Sequence, residues 1–117
     1  MTNKSFVTVA EYVAGGGTDA LDLDTQRDYP NWPVLGVSWN DADSWCKRNG
    51  GRLPTYAELK KEYTPFQEWT ADDAGALKVV RGGSWLNLTR LVRASDRVRY
   101  EPAIQNFNLG FRCIQEL

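Results

Sequence analysis

The sequence predicts one soluble domain that mixes helices with strands. Three observations carry this. Its 117 residues, 42% hydrophobic and 25% charged, have the composition of a single globular domain. A chain of this size buries roughly two thirds of its unfolded surface, enough for one modest core. Helix-start signals fill the first half, and strand-like apolar runs gather in the second.

The first helix is predicted near 9–14. Thr8-Val9-Ala10-Glu11 fits a capping box, in which Thr8 accepts from the Glu11 backbone N–H and the Glu11 side chain reaches back. Gly15-Gly16-Gly17 stops that helix. The run does not read as a phosphate loop, because no Gly-Lys-Ser/Thr follows it. Residues 18–36 hold Asp19, Asp22, Asp24 and Asp28 with Pro30 and Pro33. That acidic spacing imitates a calcium loop only loosely, with no terminal Glu at the required place. Ser38 or Asn40 can cap a helix near 40–48, with Ala42, Trp45 and Cys46 on one face. Gly50-Gly51 ends it. A second capping box, Thr55-Tyr56-Ala57-Glu58, opens a helix over about 56–63 with Leu59 inward. Glu68-Trp69-Thr70 reads as a short strand, residues 76–81 as another, and 110–114 as a closing strand. Trp39, Trp45, Trp69 and Trp85 carry enough apolar area to be core, with Leu53, Leu59, Val79, Phe111 and Ile114 beside them. Between Trp85 and Gly110 neither strand nor helix periodicity is clear, and every cation after Lys78 is arginine.

Composition excludes several functions. The formal net charge of −1 gives no whole-molecule field for nucleic acid or an anionic membrane. No apolar run nears the ~20 residues that cross a bilayer, so membrane insertion is not expected. Met1-Thr2-Asn3-Lys4-Ser5 lacks the apolar stretch of a signal peptide. With no histidine, imidazole catalysis and His-based metal sites are absent. Cys46 and Cys113, the two cysteines, cannot supply the four ligands of a structural zinc site. They are either reduced core residues or one long-range disulfide.

Four ordered segments carry a family resemblance. Pro33-Val34-Leu35-Gly36-Val37-Ser38-Trp39-Asn40-Asp41-Ala42 with Cys46 comes first, then Gly51-Arg52-Leu53-Pro54-Thr55-Tyr56-Ala57-Glu58-Leu59. Glu68-Trp69-Thr70-Ala71-Asp72 is third. Arg81-Gly82-Gly83-Ser84-Trp85, with Arg93-Ala94-Ser95 and Gly110-Phe111-Arg112-Cys113, is the fourth. Over residues 33–117 this series resembles the formylglycine-generating-enzyme (sulfatase-modifying-factor) family, and Val7-Thr8 is similar to that family's opening. The resemblance implies an α+β C-type lectin fold, one domain over 1–117 with two main helices and a small twisted antiparallel sheet. It implies that Cys46 and Cys113 face each other. Arg52 and Arg112 are then candidates for buried pairing with carboxylates such as Asp41 or Glu58, a scaffold role.

The resemblance also has limits. The enzymes hold copper on a cysteine pair after the Gly-Gly-Ser-Trp motif, and the corresponding positions here are Asn87 and Val92. Neither side chain can act as a thiolate. The related iron-dependent sulfoxide synthases need histidines. The chain is also shorter than the catalytic members. The expected protein is therefore not an enzyme and carries no cofactor.

The sequence most resembles the non-catalytic variable proteins of diversity-generating retroelements, which include phage tropism determinants. Their diversified segment lies between a Gly-Gly-Ser/Asn-Trp motif and a closing Gly-Phe-Arg. Here that segment is 86–107. Leu86, Asn87, Leu88, Arg90, Leu91, Asp96, Val98, Tyr100, Ile104, Asn106 and Phe107 are its candidate ligand-binding residues. They interleave with scaffold residues Arg93, Ala94, Ser95, Arg97, Pro102, Asn108 and Gly110. If exposed together, the apolar members form a patch of the kind that marks an interaction site. Tyr100 and Phe107 would be anchors flanked by Arg90 and Asp96. The competing reading is that Leu86, Leu88, Val98, Ile104 and Phe107 fill the core. The implied partner is a protein or other macromolecule on a cell or particle surface. Two alternatives stand beside it: a degenerate family member that binds peptide without redox chemistry, and a constant structural subunit.

Overall fold

The computed structural model describes residues 6–59, 66–81 and 98–115. Helix α1, Val9–Ala14, starts on the expected capping box: Thr8 Oγ1 accepts from Glu11 N at 3.2 Å and Glu11 Oε1 accepts from Thr8 N at 2.9 Å. Its inner face buries Val9 and Tyr12. The glycine run after it permits close packing. A Cβ on Gly15 would sit 2.6 Å from the Trp45 ring, and one on Gly17 2.5 Å from the Tyr12 ring. Helix α2, Leu23–Gln26, is a single turn that the sequence pattern does not announce. Helix α3, Trp39–Arg48, is capped by Ser38, whose Oγ accepts from Asp41 N at 3.2 Å; it buries Ala42, Trp45 and Cys46 as their spacing predicts.

Strand β1, Gly51–Arg52, is followed by α4, Tyr56–Leu59. The second capping box opens α4, with Thr55 Oγ1 accepting from Glu58 N and Glu58 Oε1 from Thr55 N. The expected continuation to residue 63 lies outside the described residues. Strand β2, Gln67–Ala74, runs well beyond the expected Glu68–Thr70. Its first four residues are all buried and only the last four alternate, so period two is hidden by burial on both faces. Gly75-Ala76 turns the chain into β3, Leu77–Arg81, with Gly75 at φ +67°. Strands β4, Val98–Tyr100, and β5, Leu109–Gly110, complete a four-stranded sheet of order β4-β3-β2-β5.

This arrangement corrects the expected antiparallel sheet. The β2–β3 and β3–β4 pairs are antiparallel, but β2 and β5 are parallel, with Gln67 opposite Leu109 and Glu68 opposite Gly110. The expected closing strand is also divided. After β5 the chain leaves that sheet through Phe111-Arg112-Cys113, and β6, Ile114–Gln115, pairs antiparallel with β1.

The core lies between α1, α3 and the four-stranded sheet and includes Val9, Tyr12, Val34, Trp45, Trp69 and Phe111. Leu53, Leu59, Val79 and Ile114 are buried as expected. Trp39 is only half-buried, and Trp85 lies outside the described residues. Each described core indole has a carbonyl partner: Trp45 Nε1 donates to Tyr12 O at 2.9 Å and Trp69 Nε1 to Val37 O at 2.8 Å. Trp39 Nε1 donates to Thr70 O at 2.8 Å, with Lys78 Nζ 3.9 Å from its ring centroid.

Cys46 and Cys113 form a disulfide with Cα atoms 5.6 Å apart, joining α3 to the segment before β6. Arg112 and Glu68 make a buried bidentate pair at 2.8 and 3.0 Å. Arg52 instead pairs with Glu58 at 2.8 Å on both arms, near the surface. Of the two carboxylates expected for these arginines, Glu58 is used and Glu68 takes the place of Asp41.

Candidate functional site

The eleven candidate residues divide into three groups. Leu86, Asn87, Leu88, Arg90, Leu91 and Asp96 lie outside the described residues, as does Val92. Val98 belongs to β4, opposite Val80, and Tyr100 ends that strand opposite Lys78. Ile104, Asn106 and Phe107 lie on the connection from β4 to β5.

Tyr100 departs from the expectation of an outward anchor. It is half-buried and packed on the core, its ring edge-on to Trp69 with centroids 6.2 Å apart. Its hydroxyl donates to Gln67 Oε1 at 3.1 Å. Pairing with β3 carries the residue over the sheet, where Trp69 offers apolar area that water would otherwise cover.

Ile104 and Phe107 are exposed, at 37% and 65%, and do not fill the core. Hydrogen bonds of the Gln105 side chain and of backbone carbonyls fasten the loop. Gln105 Nε2 donates to Gly36 O at 2.9 Å and to Asp19 Oδ1 at 3.2 Å. Pro102 O accepts from Asn40 N at 3.3 Å, and Asn108 O from Gln67 N at 2.9 Å. Half-buried Asn106 accepts through its backbone carbonyl from Leu109 N at 3.1 Å.

Phe107 lines a pocket of about 280 Å³ together with residues the sequence reading missed. Leu21, Leu35, Tyr29 and Trp32 supply other apolar walls, and Asp22, Thr25 and Gln26 also line it. Tyr29 and Trp32 stack with ring centroids 4.6 Å apart and are 48% and 62% exposed. Gln26 braces the pocket: its Nε2 donates to Leu21 O at 2.7 Å and Leu35 O at 2.8 Å, and its Oε1 accepts from Leu35 N at 3.0 Å. The available signal was two aromatics in a turn-rich acidic segment that shows no core periodicity.

Glu58 and Tyr12 are strongly perturbed, and both serve the frame. The Arg52 guanidinium holds the Glu58 carboxyl down at about 2. Burial pushes the Tyr12 hydroxyl up to about 12, and that hydroxyl donates to Asp19 O at 2.8 Å. Among the described residues no group of three or more His, Cys, Asp or Glu could hold a metal ion. Among them, too, no helix is long and apolar enough to cross a membrane.

Over 29 residues the chain is 62% identical to the formylglycine-generating enzyme of Bos taurus. That stretch is 25% of this chain and 8% of the bovine enzyme, so only a small part of that relative's length is matched. A family model, the sulfatase-modifying factor enzyme 1-like domain, matches residues 2–64 and 61–117. Together these spans run from residue 2 to the last residue of the sequence, and the chain belongs to the sulfatase-modifying factor enzyme 1-like domain family.

Proposed function

We propose that this chain is a non-catalytic binding domain of its family, with a C-type lectin fold, that displays a diversified segment at 86–107 to a macromolecular partner. The observation that carries the proposal is the loop from β4 to β5. The Gln105 side chain and the Pro102 and Asn108 carbonyls fasten it to the frame, while Ile104 and Phe107 are 37% and 65% exposed. A surface held this way loses little conformational freedom when a partner docks. The apolar area that Phe107, and in part Ile104, leaves in water is area a docking partner can cover. A loss of redox chemistry is supported by Asn87 and Val92 at the positions where the enzymes carry cysteines.

The test is to sequence this gene and its flanking DNA across related isolates. Substitutions confined to the codons of 86–107, with a near-duplicate of that stretch differing at adenines beside a reverse transcriptase gene, are the expected result. A uniform segment without such a duplicate overturns the diversification. Copper- or iron-dependent turnover of a cysteine peptide by the purified protein overturns the non-catalytic reading. A second reading, peptide binding without redox chemistry, is compatible with the short stretch of high identity to the bovine enzyme.

A further inference from the structure

The pocket that Phe107 lines is walled mostly by apolar surface, and three aromatic rings, Tyr29, Trp32 and Phe107, are among its lining residues. Such walls offer a charged or strongly polar group few partners in exchange for the water it would lose, so the fitting occupant is uncharged and apolar. Size narrows the choice. An apolar cavity of about 150 Å³ stays dry and binds benzene; at about 280 Å³ this pocket has room for a ring carried on a stem. Ring walls also favour a ring, because aromatic pairs that meet edge-on or offset gain more than their buried area alone supplies. The walls are set before anything binds, which lowers the ordering cost. Gln26 ties Leu21 to Leu35 through three hydrogen bonds, and Tyr29 and Trp32 already stack on each other.

Two observations make that ring part of a polypeptide rather than a free molecule. Tyr29, Trp32 and Phe107 all remain well exposed, so the mouth is open. A site for a free small ligand covers most of the ligand by itself. An anchor on a macromolecule instead brings surrounding surface that covers the open rings. The second observation is charge. On segment 18–33, which supplies Tyr29 and Trp32, Asp19, Asp22, Asp24 and Asp28 are all exposed, against Arg27 as its one cation. Asp28 adjoins Tyr29 in the chain, and Asp19 Oδ1 accepts from Gln105 on the loop that carries Phe107. Carboxylates therefore stand next to both ring-bearing segments. They draw in a partner surface that is basic beside its anchor, and they repel an acidic one, a nucleic acid or an anionic membrane.

We infer that this pocket receives an aromatic side chain of a partner polypeptide, flanked in that partner by basic residues. This deepens the display reading and rests on it only in taking this face to be one that meets a macromolecule. A uniform 86–107 segment would end the diversification and leave the pocket as an anchor site.

The probe is the end-capped peptide Gly-Lys-Phe-Lys-Gly, titrated into the full chain while the indole N–H resonance of Trp32 is followed by NMR. Gly-Lys-Leu-Lys-Gly, Gly-Glu-Phe-Glu-Gly and free toluene are compared with it. A saturable Trp32 shift is expected with the probe. The leucine peptide should bind about threefold more weakly or worse. The glutamate-flanked peptide should fall behind by a similar factor, and that gap should narrow as salt is raised. Phe107→Ala should weaken the probe about fivefold or more, whereas Ile104→Ala, on the same loop but outside the pocket lining, should leave it within about twofold. Retained amide dispersion checks that both variants fold. Leucine binding as tightly as phenylalanine overturns the proposal and leaves a merely apolar pocket. Toluene binding as tightly as the probe overturns it in favour of a free small ligand. Equal binding of the two phenylalanine peptides, equal losses in the two variants, or no saturable shift overturns it as well. So does sedimentation showing concentration-dependent dimers that Phe107→Ala abolishes, which would assign the pocket to a second copy of the chain.

Discussion

Tyr100 and Phe107 look alike in the sequence, two aromatics in one irregular stretch, yet they stand on opposite sides of the solvent boundary. Tyr100 leans on Trp69 and donates to Gln67, whereas Phe107 is 65% exposed. Removing each should therefore do different things. Tyr100→Ala deletes a ring packed on the core and leaves Gln67 Oε1 without that donor, so a loss of about 2–3 kcal/mol is expected in urea unfolding. Phe107→Ala should change stability by less than about 0.5 kcal/mol, as substitutions away from packed sites usually do. Equal losses would contradict the placement of both rings. Glu68 shows a similar divide. In the sequence it is one acidic residue beside a tryptophan; in the fold it is wholly buried, because the Arg112 fork neutralises it on both oxygens.

The elements that could be read beforehand are those whose signals are local. Thr8, Ser38 and Thr55 each reach a backbone N–H three residues along, so α1, α3 and α4 start where the caps place them. The α4 box also has a pH signature. Arg52 holds Glu58 at about 2, below its ordinary 4.5. A depressed carboxyl stabilises the fold above the unfolded value and loses that contribution as pH falls from 4.5 toward 2. The pair is about a third exposed, at 33% and 34%, so screening by water should hold the effect to about 1 kcal/mol or less. Unfolding of the chain and of Glu58→Gln should be measured between pH 5 and 2 at matched salt. The variant should lose less stability over that range, and identical slopes would show that Glu58 contributes nothing there. Strand limits were less legible. The buried half of β2 has no alternation to detect, and the pairings of β5 with β2 and β6 with β1 join residues distant in sequence.

Across the whole molecule the Cys46–Cys113 disulfide closes a loop of 67 residues. Constraining a loop of that length in the unfolded chain stabilises the fold by about 4 kcal/mol. Reduction, or the double change Cys46→Ala with Cys113→Ala, should lower the unfolding free energy measured in urea by that amount, and an unchanged value would show that packing alone sets stability. Residue order alone was enough to establish the mixed helix and strand class, the three caps, most of the buried side chains and the family, because each depends on side-chain type at short spacing. The bond between the cysteines was implied there only by family resemblance. Three-dimensional packing assigned the parallel β2–β5 pair, the partner of Arg112, the inward turn of Tyr100 and the pocket of Tyr29, Trp32 and Phe107. Those features join residues far apart along the chain, and a contact between distant positions leaves no periodic trace in either segment.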